Sequence, residues 1–198
     1  MTLEAAIRAC TRCPLHEQQE GNHPVPPHVG PKYPQRGIAV VCDFPRYFDS
    51  KEGKPLRGRD GEMFNDLLAK VEITRDMFML TNSVRCKPPN NRIEDYPEAI
   101  AACASWTADE FALYDPAVVV LMGRVAIRSV FGAEASVGAT RGTFTATPAK
   151  HPWGSRLAIC TYHPGAAGFA GGVDSEPAQH IVNDLTAALN AWLVLRAA

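Results

Sequence analysis

The sequence predicts an α/β fold: a three-layer α/β/α sandwich with a central four-stranded, mostly parallel sheet, built by residues 1–198 as one domain. Three observations carry this. Short apolar runs of strand length recur along the chain, and segments with helical spacing of apolar residues alternate with them. No internal repeat or shift of composition divides the 198 residues, a length that suits one good-sized core.

In order, LEAAIRACTRC reads as a short helix running into a Cys-x-x-Cys turn. Residues 21–36 hold five prolines without periodicity and predict a surface strap. GIAVVCDF is a continuous apolar run, as in a strand buried on both faces. GEMFNDLLAKVEI places Met63, Phe64, Leu67, Leu68 and Val71 on one helical stripe. DMFMLTNSVRC is the second strand, and residues 96–114 form a helix with Pro97 suited to its first turn. PAVVVLMG is the third strand, RVAIRSVFG a helix closed by Gly132, RLAICTYHP the fourth strand and residues 175–198 the last helix. Sheets of this kind bind ligands at the carboxyl ends of their strands. The segments CDFPR, TNSVRC and TYHPG fall there.

Hydrophobic content of 46% and charged content of 21% are ordinary for a globular chain. No apolar run is long enough to span a membrane. MTLEAAIRACTRC lacks a signal-peptide core, so a cytoplasmic protein is expected. The net charge of −1 announces no nucleic-acid partner, yet residues 46–59 carry five bases against two acids. Such a strip is either a solvated loop or a set of phosphate contacts.

Six cysteines in such a chain point away from disulfides. Cys10 and Cys13 form one pair, while Cys86 and Cys103 lie far downstream. Two prolines after Cys86 turn the chain away, and the next helix brings Cys103 back. Four thiolates suit a structural zinc ion or a 4Fe–4S cluster, and spacing does not separate these from four unrelated buried cysteines.

CTRCPLHE, TNSVRCKPPNNR, VVVLMG, the Arg-Gly pair before the last strand and TYHP together resemble the family 4 uracil-DNA glycosylases, from about Cys10 to Leu189. The resemblance implies a 4Fe–4S cluster with a structural role, held by Cys10, Cys13, Cys86 and Cys103. It implies DNA as the partner, base flipping, base excision repair and a monomer without an obligate protein partner. The family's first motif is Gly-Glu-Ala-Pro-Gly, two variable residues, Glu-Asp, and later Gly-x-Pro-Phe-Val-Gly. CDFPRYFDSKEGKPLRG aligns with it without a gap: Pro45, Gly53, Pro55, Gly58 and Gly61 match. Cys42, Asp43, Phe44, Arg46, Asp49 and Leu56 depart from it, Leu56 standing where the family stacks a Phe on uracil.

By that resemblance Asn82 reads the base edge, and His163 donates to the pyrimidine O2 as negative charge accumulates. Asp43 positions water, stabilises a cationic sugar or only caps backbone amides. Phe44 stacks on a base or packs, and Arg46 grips a phosphate or a polar substituent. Asp49 and Leu56 complete the expected base pocket. Lys54, Arg57 and Arg59 are expected on the DNA backbone, and Phe169 is either a wedge into the base stack or part of a plain flexible loop. Cys42 and Cys160 are expected in the core. Three functions remain open: a glycosylase for uracil or another modified pyrimidine, a 5-substituted one among them, a DNA-binding protein of the same fold without the chemistry, and an enzyme of modified bases or free nucleotides.

Overall fold

The computed structural model describes residues 1–18 and 24–197. Residues 21–23 of the expected strap and residue 198 of the last helix lie outside these. The elements run α1 (Leu3–Arg8), β1 (His28–Val29), β2 (Ile38–Cys42), α2 (Tyr47–Glu52), α3 (Gly58–Ala69), β3 (Phe78–Asn82) and α4 (Pro97–Tyr114). They continue with β4 (Val118–Met122), α5 (Arg124–Phe131), α6 (Val137–Thr140), β5 (Phe144–Ala146), β6 (Leu157–Thr161), α7 (Pro164–Phe169) and α8 (Glu176–Ala197).

The expected four strands form the parallel centre, in the order β3-β2-β4-β6. The sheet itself has six strands, which corrects the expected count: β1 adds antiparallel to β3, and β5 antiparallel to β6. These edges are two and three residues long. Runs that short carry no readable period.

The pleat divides the core. Ile38, Val40 and Cys42 face α3 and α8, where Phe64, Leu67, Leu68, Ile181, Leu185 and Trp192 cover them. Ala39 and Val41 face the other way, onto Phe111 of α4 and Ala126, Ile127 and Val130 of α5. Both faces are therefore apolar, which is why the strands read as unbroken hydrophobic runs. Cys42 and Cys160 are core residues, as expected. On the first face α8 returns across the sheet, and Trp192 Nε1 donates to Arg36 O at 3.0 Å.

The register sets Cys42 level with both Asn82 and Met122, and Met122 level with Thr161. The residues that follow these four strands thus emerge along one edge. A third apolar cluster gathers there, joining Phe44, Val84 and Val125 to Cys13, Cys86 and Cys103.

Candidate active site

Asp43 leaves β2 directly beneath the start of α5. Its Oδ1 accepts from Val125 N–H at 2.8 Å and from Ala126 N–H at 2.9 Å. The carboxylate thereby serves the free amides of a helix it does not belong to. Gly123, at φ 106°, makes room: a Cβ there would stand 2.6 Å from the Asp43 oxygens. Burial raises the Asp43 pKa, while His163 and the two amides oppose the rise.

Asn82 closes β3 and is 1% exposed, and its Nδ2 has no hydrogen-bond partner among the described residues. A buried amide donor without an acceptor is costly. This one lies at the strand edge where ligands of such sheets bind.

His163 precedes α7, with its side chain 12% exposed. Gly165 N–H donates to its Nδ1 at 3.2 Å, so in the neutral ring the proton sits on Nε2. Burial lowers its pKa, and Asp43 and Asp60 oppose this. Asp60 Oδ2 stands 3.8 Å from His163 Nδ1 and 3.8 Å from Arg46 Nε. Asp60 was not among the expected site residues. It occupies the first turn of α3, and no motif marks it.

The rest of the first motif divides by role. The Arg46 guanidinium lies over the Phe44 ring at 4.8 Å, and Phe44 is 5% exposed. Phe44 packs in the cluster that holds Cys13, Cys86 and Cys103, so its ring joins that cluster to Arg46. Leu56 is 2% exposed and belongs to the sheet core. Its side chain is thus covered by the core beside the loop that carries it. The Asp49 oxygens accept from Arg46 N–H at 2.9 Å and Arg57 N–H at 2.5 Å, bracketing the loop. Burial lifts its pKa to about 6.

Lys54 and Arg59 are exposed, and Arg57 is half-buried, its Nε 3.3 Å from Glu52. Phe169 ends α7 and is 95% exposed, so the expected loop is partly helical. Tyr47 and Phe48 form an exposed aromatic pair, ring centroids 5.2 Å apart, which sequence reading missed because they fall inside a charged run.

The four expected cysteines come from three regions of the chain. Cys13, Cys86 and Cys103 share the third cluster, and Trp106 Nε1 donates to Cys10 Sγ at 3.3 Å. Burial raises the pKa of Cys13 and of Cys103, and Cys10 adds to both rises, so these three thiols feel one another. Arg85 N–H donates to Cys103 Sγ at 3.4 Å. The Arg85 side chain is fully buried, with Nη2 on Glu110 at 2.7 Å and on Thr107 at 2.9 Å. Among the described residues no group of three or more His, Cys, Asp or Glu is placed to hold a metal ion. The donor type is nonetheless right: Cys13, Cys86 and Cys103 lie in one apolar cluster with Cys10 against Trp106, and thiolates are what an iron–sulfur cluster takes.

A parallel sheet between helical layers, with Asp43, Asn82 and His163 following or closing its strands at their carboxyl ends, defines an α/β protein. The family model for the uracil DNA glycosylase superfamily matches residues 31–186, and the chain belongs to that superfamily. It is similar to the type-4 uracil-DNA glycosylase of Thermotoga maritima, 31% identical over 160 residues, covering 80% of this chain and 77% of the relative. The type-4 enzyme of Sulfurisphaera tokodaii is 27% identical, covering 83% of this chain and 74% of its own. That of Archaeoglobus fulgidus is also 27% identical, covering 81% and 78%.

Proposed function

We propose that this protein is a DNA glycosylase that hydrolyses the N-glycosidic bond of uracil or a 5-substituted pyrimidine in DNA and leaves an abasic site. The observation that carries this reading is Asn82, whose buried Nδ2 has no partner on the edge it shares with Asp43 and His163. A flipped pyrimidine supplies the missing acceptor through a ring carbonyl, and its N3–H faces the amide oxygen.

His163 then presents Nε2–H toward the base, because Nδ1 is engaged by Gly165 N–H. As the bond from C1′ to the ring nitrogen breaks, its electron pair goes to the base, and a donor at O2 stabilises the growing charge. Water adds to C1′, and its proton leaves to the base or to solvent. Asp43 supplies negative charge beside the sugar, held in place by α5. Arg46 sets a cation at the pocket, suited to a polar group on the ring. Lys54 and Arg59 meet phosphates, and Phe169 enters the gap left in the stack.

Cys10, Cys13, Cys86 and Cys103 are the residues that would hold a 4Fe–4S cluster, whose contribution is to cross-link the loops around Phe44. The DNA-binding reading without chemistry draws on Asp43, whose Oδ1 is engaged by two amides.

The test is strand cleavage by alkali after incubation with oligonucleotides carrying uracil, a 5-substituted uracil or a modified cytosine. Breakage that disappears with His163→Ala is expected. Tight binding to abasic DNA with no breakage on any substrate would move the assignment to the binding protein.

A further inference from the structure

Asp60 is placed to act on His163, and the first motif supplies its restraint. We propose that Asp60 is a positioning residue for His163 and that Arg46 holds it in check. With the Arg46–Asp60 pair closed, His163 keeps Nδ1 on Gly165 N–H and offers Nε2–H to the pocket. This rests on the glycosylase reading for its consequence, and on geometry for its substance.

One carboxylate oxygen, Asp60 Oδ2, lies 3.8 Å from His163 Nδ1 and 3.8 Å from Arg46 Nε. Two arrangements compete for it. In the first, Nδ1 carries a lone pair and accepts from Gly165 N–H, and Asp60 faces arginine. In the second, Nδ1 takes a proton from solvent and donates to Asp60, and Gly165 N–H loses its acceptor. The Gly165 contact at 3.2 Å is the first arrangement. The charged groups facing the ring are Asp43 from the end of β2, Asp60 from α3 and Arg46 before α2. Both carboxylates favour the protonated ring, and Arg46 opposes it. Arg46 is itself steadied by the Phe44 ring at 4.8 Å. Burial and Asp43 weigh more heavily, and the pair Arg46–Asp60, through the geometry around Nδ1, tunes the pH below which the working neutral ring is lost.

The sign follows. Asp60→Asn removes an anion and moves the loss of neutral His163 to lower pH. Arg46→Met removes a cation and moves it to higher pH. Each shift should be about one unit, the size of a close charge. Arg46→Lys should restore most of the parent behaviour. Two readouts are taken: NMR titration of labelled histidine carbons, and the acid limb of single-turnover cleavage of uracil DNA. Asp60→Ser carries the same expectation as Asp60→Asn should the latter fold poorly.

Opposed shifts in the two variants uphold the proposal. Unmoved midpoints, or shifts in the same direction, overturn it even where cleavage is intact. Opposed NMR shifts with no cleavage of any substrate uphold it and remove the glycosylase reading instead.

Discussion

In the proposed function Asn82 carries the recognition, and its amide has a measurable consequence. Asn82→Ala deletes both the unpartnered donor and its acceptor, and cleavage of a uracil oligonucleotide should fall by about 10²–10³-fold, the range for one lost charge-stabilising donor. A fall of less than threefold in single-turnover rate would separate Asn82 from the chemistry. Asp49 makes a prediction about stability. Its pKa in the fold is about 6, above the ordinary carboxylate value, so the folded state holds its proton longer than the unfolded chain does. Its stabilising contribution is complete in acid, below the unfolded value, and is lost as pH rises through about 6. Urea denaturation between pH 4.5 and 7 should show that loss in the parent protein and a flatter profile in Asp49→Asn.

At the scale of elements, the turn from β4 into α5 is the tightest constraint on the site. Gly123→Ala meets both a positive φ of 106° and the Asp43 carboxylate. It should lower the melting temperature by several degrees, and cleavage should fall with it as Asp43 is pushed off the α5 amides. A variant with parent melting temperature and activity would show that the carboxylate has room to move. Under the cysteine wall, Glu110 joins Thr81 of β3 to Arg85, accepting from both at 2.9 and 2.7 Å. Glu110→Ala leaves a buried guanidinium uncompensated and should cost about 3–5 kcal/mol in chemical denaturation. The central strands were legible in sequence because burial on both faces makes them continuous apolar runs. β1 and β5 were not, because an edge of two or three residues is chosen by its neighbour rather than by its own pattern. In the site, Asn82 and His163 could be found from strand ends and motif matches. Asp60 and the burial of Leu56 could not, since each depends on which helix turn or loop carbonyl it meets in three dimensions.

For the whole molecule, the cysteine wall and the pocket are joined through Phe44, which packs beside Cys13, Cys86 and Cys103 while Arg46 covers its ring. Loss of Cys103 therefore should be felt in the pocket. Cys103→Ser is expected to lose the brown absorbance of cluster-loaded protein, to melt earlier and to bind abasic DNA more weakly. Full colour and unchanged melting would remove Cys103 from the ligand set. The return of α8 across the sheet has a further consequence, for the chain while it is being made. Helix α8 supplies Ile181, Leu185 and Trp192 to one face of strands that begin near residue 38, and Trp192 reaches back to Arg36. Until residue 192 has left the ribosome, that face of the sheet has the cover of α3 but not of α8. A chain released before α8 is made would hold β2, β3, β4 and β6 but leave part of that face open to chaperones and to other copies. The nascent protein is most exposed to aggregation just before its last helix arrives.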